Sequence, residues 1–242
     1  MIRGIFTSAT GMIMQQKKLD VIGNNIANDQ TSGFKSDEVS LRSFDQEMIQ
    51  RMSEDVQVGS MTYGVTSDGI KTDFSNGNYS QTNSATDIAI VGNGYFAVQD
   101  GNNGVKYTRD GGFTVDSAGY LALPSGERLL GTNGQPLKVS GDQFSLSSDG
   151  VVRNKSGAVG QIAVYQPTGQ IVKRGDGFMQ MTGASQIKGT LRQGFLEGSN
   201  VDIVTQMSQM MVATRSYQSN QQSFKTADQT LEKLVNQVGS MR

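Results

Sequence analysis

From Val201 to Val238 the chain carries neither glycine nor proline, so nothing in that window breaks a helix. Within it Ile203, Met210, Tyr217, Phe224, Leu231 and Val238 recur every seven residues. Ala213, Ala227, Leu234 and Met241 recur three places later, with Gln206 and Asn220 as polar interruptions. That spacing is a coiled-coil-type seam. Ser199 and Asn200 are cap residues and Asp202 suits the positive end of the helix dipole, so a helix is expected to begin near Val201. The N-terminal segment repeats the pattern, with Ile5, Met12, Leu19 and Ile26 spaced by seven and Ile22 three beyond Leu19. A helix to about Asn28 is predicted there, ending in the polar corner that follows Gly23, with a turn at Thr31, Ser32 and Gly33.

The middle of the chain reads differently. Of the 30 glycines, 25 lie between Gly59 and Gly198, together with all three prolines. Apolar segments punctuated by turns recur there at Ile88 to Val91, Tyr95 to Val98, Val105 to Thr108, Phe113 to Val115, Tyr120 to Leu123, Phe144 to Leu146, Gln161 to Tyr165, Ile171 to Lys173 and Phe178 to Met181. This is an all-β signature. The predicted fold class is α+β: long N- and C-terminal helices forming a coiled-coil-like stem, with a central all-β domain. The expected organisation is an N-terminal helix and motif over 1–35, a connector over 36–78, the β-rich domain over 79–198 and the C-terminal helix over 199–242. Within the connector, Phe44 to Met52 is predicted helical, with extended or irregular chain after it.

Composition removes much chemistry. The 242 residues include no His, Cys or Trp. A Ser-His-Asp triad, a Cys nucleophile, a disulfide framework and a His or Cys zinc site are therefore impossible within this chain, and no cofactor or metal is expected. Lys and Arg total 21 against 22 Asp and Glu. No basic face dense enough for phosphate emerges, which argues against nucleic acid and against a membrane-surface helix. No uncharged stretch is apolar enough to span a bilayer. No apolar run of signal-peptide length follows Arg3, so any export is expected to use a route other than a cleaved secretory signal.

Three motifs invite chemistry and have plainer readings. Gly92, Gly94 and Ala97 spell a dinucleotide fingerprint, but Tyr95 to Val98 reads as another strand where that motif needs a helix. Asp-Gly pairs at Asp68, Asp100, Asp110, Asp149 and Asp176 could supply paired carboxylates for glycan hydrolysis, yet Asp-Gly is also the chemistry of hairpin turns. Asp100 to Gly104 lacks the ordered acidic spacing of a calcium loop and reads as a surface loop. The polar faces of the terminal helices are rich in amides, including Gln206, Gln209, Gln218, Gln221 and Gln222, and poor in charge. Amides can be buried against neighbours at less cost than ions, which points to helices packed on several sides by other subunits.

The run Asp20, Val21, Ile22, Gly23, Asn24, Asn25, Ile26, Ala27, Asn28, then Thr31, Gly33, Phe34 and Lys35, resembles the signature of bacterial flagellar rod, hook and hook-basal-body proteins. Asp87 to Ile90, Gly92, Gly94, Tyr95 and Phe96, then Tyr107 to Gly111 and Phe113, resemble the central β-region of that family. Glu197, Gly198, Ser199, Asn200 and Val201 resemble its closing element. The motif order is most similar to distal rod members. The stretch between Lys35 and Gly77 is shorter than such members usually carry, so a proximal rod paralogue or a rod-like hook-basal-body protein of a Gram-positive bacterium is the alternative.

The resemblance implies an axial structural protein rather than an enzyme: terminal helices packed as an inner tube around a channel, a β-rich domain outside, and delivery through the flagellar export apparatus to the basal body. Its partners would be further copies of itself in a helical assembly and other rod and hook proteins. Ile5, Met12, Leu19, Ile26, Ile203, Met210, Tyr217, Phe224, Leu231 and Val238 are the expected subunit-packing residues. Asn24, Asn25, Ala27, Asn28, Gly33, Phe34, Gly198, Ser199 and Asn200 are the motif residues the resemblance marks. The competing class is a cell-wall glycan hydrolase using Asp110 or Asp149.

Overall fold

The structure, a computed structural model, describes residues 2–43, 46–50, 57–62, 64–101, 104–139, 141, 144–155, 157–175 and 177–239. It divides into two compact units, one of Met1–Ala27, Asp37–Asp73 and Asp202–Arg242, the other of Asn28–Ser36 and Phe74–Val201.

The first unit is built on two helices, α1 (Ile2–Ala27) and α2 (Ile203–Gly239). At 1.5 Å per residue they run about 39 and about 55 Å. Helix α2 begins at Ile203, two residues after the expected start, because the cap is Asp202. Its carboxylate accepts the Val204 N–H at 3.2 Å and the Thr205 hydroxyl, and its carbonyl accepts the Gln206 N–H at 2.9 Å. The Thr205 bond, then the backbone bonds, hold the Asp202 carboxyl below the ordinary aspartate range. Ser199 makes a turn ahead of the helix instead, its Oγ accepting the Val201 N–H at 3.2 Å.

The two helices pack on each other. Asn220 of α2 lies over Gly11 of α1, where a Cβ would stand 2.8 Å from the Asn220 Nδ2. Asn25 Nδ2 donates to Gln206 Oε1 at 3.4 Å. Position rises along α1 as it falls along α2, so the pairing is antiparallel. Ala213 and Ile22 are buried; Ile5, Met12, Leu19, Ile26, Ile203, Met210, Tyr217, Phe224 and Leu231 are half-buried. The side chain of Val238 and all of Met241 lie outside the described residues.

The connector holds strands rather than a helix. β1 (Asp37–Ser43) pairs antiparallel with β4 (Val65–Thr72), and β2 (Gln46–Gln50) pairs antiparallel with β3 (Gln57–Thr62). The helix expected over Phe44 to Met52 is replaced by β2 at Gln46–Gln50; Phe44, Asp45, Arg51 and Met52 lie outside the described residues. A pattern this short fits either period, and a cross-strand partner decides against an isolated helix that is marginal below about 12 residues. Asn25 holds β1 to α1 by mimicking a strand: its Oδ1 accepts the Asp37 N–H at 3.0 Å and its Nδ2 donates to the Asp37 carbonyl at 2.8 Å. Lys17 Nζ donates to Ser67 Oγ at 2.9 Å, tying α1 to β4.

The second unit is the β-rich one. β5 (Tyr79–Gln81), β6 (Ile88–Val91), β7 (Tyr95–Gln99) and β8 (Val105–Thr108) open it. β7 is the hub of its largest sheet, pairing antiparallel with β8, with Arg128–Leu129 and with Val164–Pro167. All four residues Tyr95 to Val98 are buried. Phe96 meets Phe113 edge-on at 5.2 Å inside a core that includes Ile88, Leu121, Leu129, Val139, Val152 and Phe178. The segment predicted as one strand over Gln161 to Tyr165 is two, Gly157–Gln161 and Val164–Pro167. Between them the Ile162 and Ala163 N–H groups turn to the carbonyls of Gly150 and Leu130. Gly92 and Gly94 form the turn from β6 into β7, so no helix follows the fingerprint-like glycines.

Candidate functional site

The motif residues divide between the two units. Asn24 is exposed and Asn25 buried near the end of α1, whose last residue, Ala27, is exposed. From Asn28 the chain enters the β-rich unit. A turn forms there, with the Thr31 N–H on the Asn28 carbonyl at 3.2 Å and the Thr31 hydroxyl 3.1 Å from the Asn28 Oδ1. Gly33 follows with φ of +67°, and a Cβ on it would stand 2.5 Å from the carbonyl carbon of Arg109. Only glycine fits both the left-handed backbone and the close approach.

That approach delivers Phe34 and Lys35 into the unit. The Lys173 Nζ sits 3.9 Å from the Phe34 ring centroid and donates to the Lys35 carbonyl at 2.7 Å. Lys35, fully buried, donates to Glu197 Oε1 at 2.6 Å and to the Ser75 carbonyl at 2.6 Å. Glu197, also buried, accepts the Gly77 N–H on the same Oε1 at 3.2 Å and Arg109 Nη1 on Oε2 at 2.9 Å. Arg109 Nη2 reaches the Gly92 carbonyl at 2.8 Å, and its guanidinium lies 5.1 Å from the Tyr95 ring. Burial raises the Tyr95 phenol above its ordinary pKa, partly offset by the Arg109 charge.

Backbone stitches surround this cluster. The Gly33 N–H donates to the Glu197 carbonyl at 2.8 Å, and the Gly198 N–H to the Asn78 carbonyl at 2.8 Å. Asn200 Oδ1 accepts the Ser36 N–H at 2.8 Å while its Nδ2 donates to Ser75 Oγ at 3.1 Å. One carboxylate thus bridges two cations out of contact with water. Such a cluster contributes little net stability, because desolvation offsets attraction, but losing one partner costs about 3–5 kcal/mol. What it enforces is that residues 33–36, 75–78, 109 and 197–200 all be in place together.

The candidate carboxylates behave as turn residues. Asp110 accepts the Gly112 N–H at 3.0 Å, and burial, with a lesser contribution from the Asp87 charge, raises its pKa. Asp149 precedes Gly150, whose φ is +83°. Asp100 is paired with Lys106 at 3.0 Å; Asn102, Asn103 and Asp176 lie outside the described residues. Among the described residues no three His, Cys, Asp or Glu side chains gather as a metal site would require.

Three stretches match known families: residues 5–35 the family described as flagella basal body rod protein, 89–154 the flagellar hook protein FlgE/F/G D1 domain, and 192–238 the flagellar basal body rod FlgEFG protein C-terminal region. The chain is 34% identical to the flagellar basal-body rod protein FlgG of Bacillus subtilis over 98% of this chain and 99% of that one. It belongs to the flagellar basal-body rod protein family. It is also 28% identical to the flagellar hook-basal body complex protein FlhO of Bacillus subtilis over the whole of both chains, and 26% identical to FlgF of Rhizobium meliloti over 99% of each. The family is one of structural proteins of the flagellar basal body, not of enzymes. The buried cluster takes one charged residue from each matched stretch of this rod-family chain: Lys35, Arg109 and Glu197. Lys35, Arg109 and Glu197 each belong to one of the runs that carry the resemblance, but nothing in the sequence marks them as partners. Their signal is that each lies within two residues of a motif glycine, Gly33, Gly111 or Gly198, that brings backbones close.

Proposed function

We propose that the chain is a distal rod subunit that assembles with copies of itself through α1 and α2, forming a helical drive shaft that transmits torque and encloses an export channel. The observation that supports this best is apolar side chain left uncovered on helices that already pack on each other. Val204 is 72% exposed, Met211 58%, Phe6 64%, Ile13 61% and Val235 69%. Large apolar side chains exposed in groups along a helix pair mark an interaction surface.

The placement of these residues suggests the kind of contact. In the antiparallel pairing Val204, Met207, Met211 and Val212 stand toward one end of the helix pair, whereas Phe6, Leu234 and Val235 stand toward the other, with Ile13 near the middle. Two different patches about 20 Å apart along the axis, at 1.5 Å per residue, favour a head-to-tail contact over a self-complementary one. A head-to-tail contact whose rotation does not close yields a filament. The half-buried rows from Ile5 to Ile26 and from Ile203 to Leu231 would lose their remaining exposure in the same contacts.

Delivery unfolded through the flagellar export apparatus fits helices that gain much of their stability on assembly. The hook-basal-body reading is favoured by the similarity to FlhO over both whole chains. Electron microscopy of the concentrated protein tests assembly. The parent should form filaments or extend rod seeds, and Met207→Asp with Met211→Asp should not, with circular dichroism unchanged. Filaments from the double variant would overturn the reading. Complementation of Bacillus subtilis lacking FlgG or FlhO separates the two placements: restored swimming in the first strain alone supports the distal rod.

A further inference from the structure

The seam of α2 has two polar interruptions, and both meet α1 at places that fix alignment. Gln206 accepts from Asn25 Nδ2 at 3.4 Å, and Asn220 packs over Gly11, where a Cβ would meet the Asn220 amide at 2.8 Å and have to displace that side chain. Asn25 and Gly11 are fourteen residues apart, and so are Gln206 and Asn220. Two contacts two heptads apart therefore define one antiparallel register.

Apolar rows repeating every seven residues do not define it. Sliding α2 by one heptad would still set Met210, Tyr217, Phe224 and Leu231 against the α1 row of Ile5, Met12, Leu19 and Ile26. Buried polar groups discriminate where apolar contact does not, at some cost in stability. A slip of seven residues would take Gln206 away from Asn25 and would bring a side chain other than Asn220 onto Gly11.

We propose that Gln206 with Asn25, and Asn220 with Gly11, are the register-determining pairs of the helix hairpin, and that they exclude pairings displaced by a heptad. The inference does not depend on the assembly reading, since it concerns one chain. Replacing Gln206 by Leu leaves Asn25 both of its bonds to Asp37 and removes only the long 3.4 Å contact of its second Nδ2 hydrogen. The Gln206→Leu, Asn220→Leu variant should therefore keep its helicity while losing its alignment.

The chain has no cysteine, so nitroxide labels on Asp20→Cys and Gln229→Cys report cleanly. These positions lie about 27 Å apart along the axes in the observed register, and a heptad slip changes that by about 10 Å. Pulsed electron–electron double resonance on the full chain, diluted with unlabelled protein so that only intrachain pairs contribute, should give one distance for the parent. The double Leu variant should add a second population displaced by about 10 Å. A single unshifted distance in that variant overturns the proposal, and so does loss of helicity, since these positions must cost stability rather than supply it. As a second arm, Gly11→Ala should broaden the parent distance and Gly11→Ala with Asn220→Ala should restore it. Equal effects with and without Asn220 would also overturn the assignment.

Discussion

The β-rich unit and the helical unit solve the problem of apolar surface in opposite ways. The first closes on itself: sixteen apolar residues from Ile88 to Leu191 form one buried cluster, and even its central ions are sealed from water. The second buries Ile22, Asn25 and Ala213 and leaves its seam half-covered and Val204, Met207 and Met211 bare. A unit with a complete core has its stability built in; a pair of amphipathic helices with a second apolar face has stability still to gain from a neighbour. Chain order does not follow this division, because residues 28–36 follow α1 directly yet belong to the β-rich unit.

The sharpest test of that boundary is a pair of fragments. Residues 28–201 retain Gly33, Phe34 and Lys35, and should show a cooperative thermal transition with near-ultraviolet dichroism. Residues 37–201 leave Glu197 without Lys35 and the Arg109 backbone without Gly33, and should show neither. Equal cooperativity in both would place 28–36 outside the folding unit. Within the full chain, Glu197→Ala strands two buried cations and should cost about 3–5 kcal/mol in a denaturant titration followed at the β-rich unit. A loss below about 1 kcal/mol, the range of exposed pairs, would mean water reaches the cluster.

The seven-residue rows were legible because helical periodicity is local: the spacing of Ile203, Met210 and Tyr217 is visible without knowing the partner. Most strands were legible for the same reason, Ile88 to Val91 and Ile171 to Lys173 with their ends intact. What misled was whatever depended on distant chain. The strand Gln46–Gln50 exists because Gln57–Thr62 pairs with it, and its own five residues do not announce that. Strands such as Thr190–Gln193 were missed because their apolar content is one residue, Leu191, and their partner is β6, about a hundred residues earlier. The ionic cluster was invisible to spacing, its members standing at 35, 109 and 197. The cap at Asp202 falls two to three residues beyond the expected Ser199 and Asn200, because all three residue types cap well and only the backbone course chooses among them.

Matched truncations of two phenylalanines sharpen the contrast between units. Phe96→Ala removes a fully buried ring and should cost about 3–5 kcal/mol of the β-rich unit's stability. Phe224→Ala removes a half-buried ring and should cost about half as much in the isolated chain, while abolishing incorporation into filaments. Similar stability losses for both, with assembly intact in the Phe224 variant, would mean the helical unit is as self-sufficient as the other.

The smallest expected effect concerns pH and again separates the units. Asp110, in the β-rich unit, has its pKa raised by burial, so the folded state binds its proton more tightly than the unfolded chain does. Stability from this group therefore falls as pH rises from the unfolded aspartate value, about 3.9, through the raised folded value. Asp202, capping α2, has its pKa lowered, so its contribution is present above the unfolded value and is lost as pH falls through the folded one. Acidification should thus weaken the start of α2 while slightly favouring the turn at Asp110. Asp110→Asn keeps an acceptor for the Gly112 N–H and removes the buried charge, so it should melt slightly higher than the parent at pH 7 and equal to it near pH 3. A variant that melts lower at pH 7 would show that the carboxylate is held by a charge partner, making the β-rich unit dependent on a second ionic contact beyond the one that joins Lys35, Arg109 and Glu197.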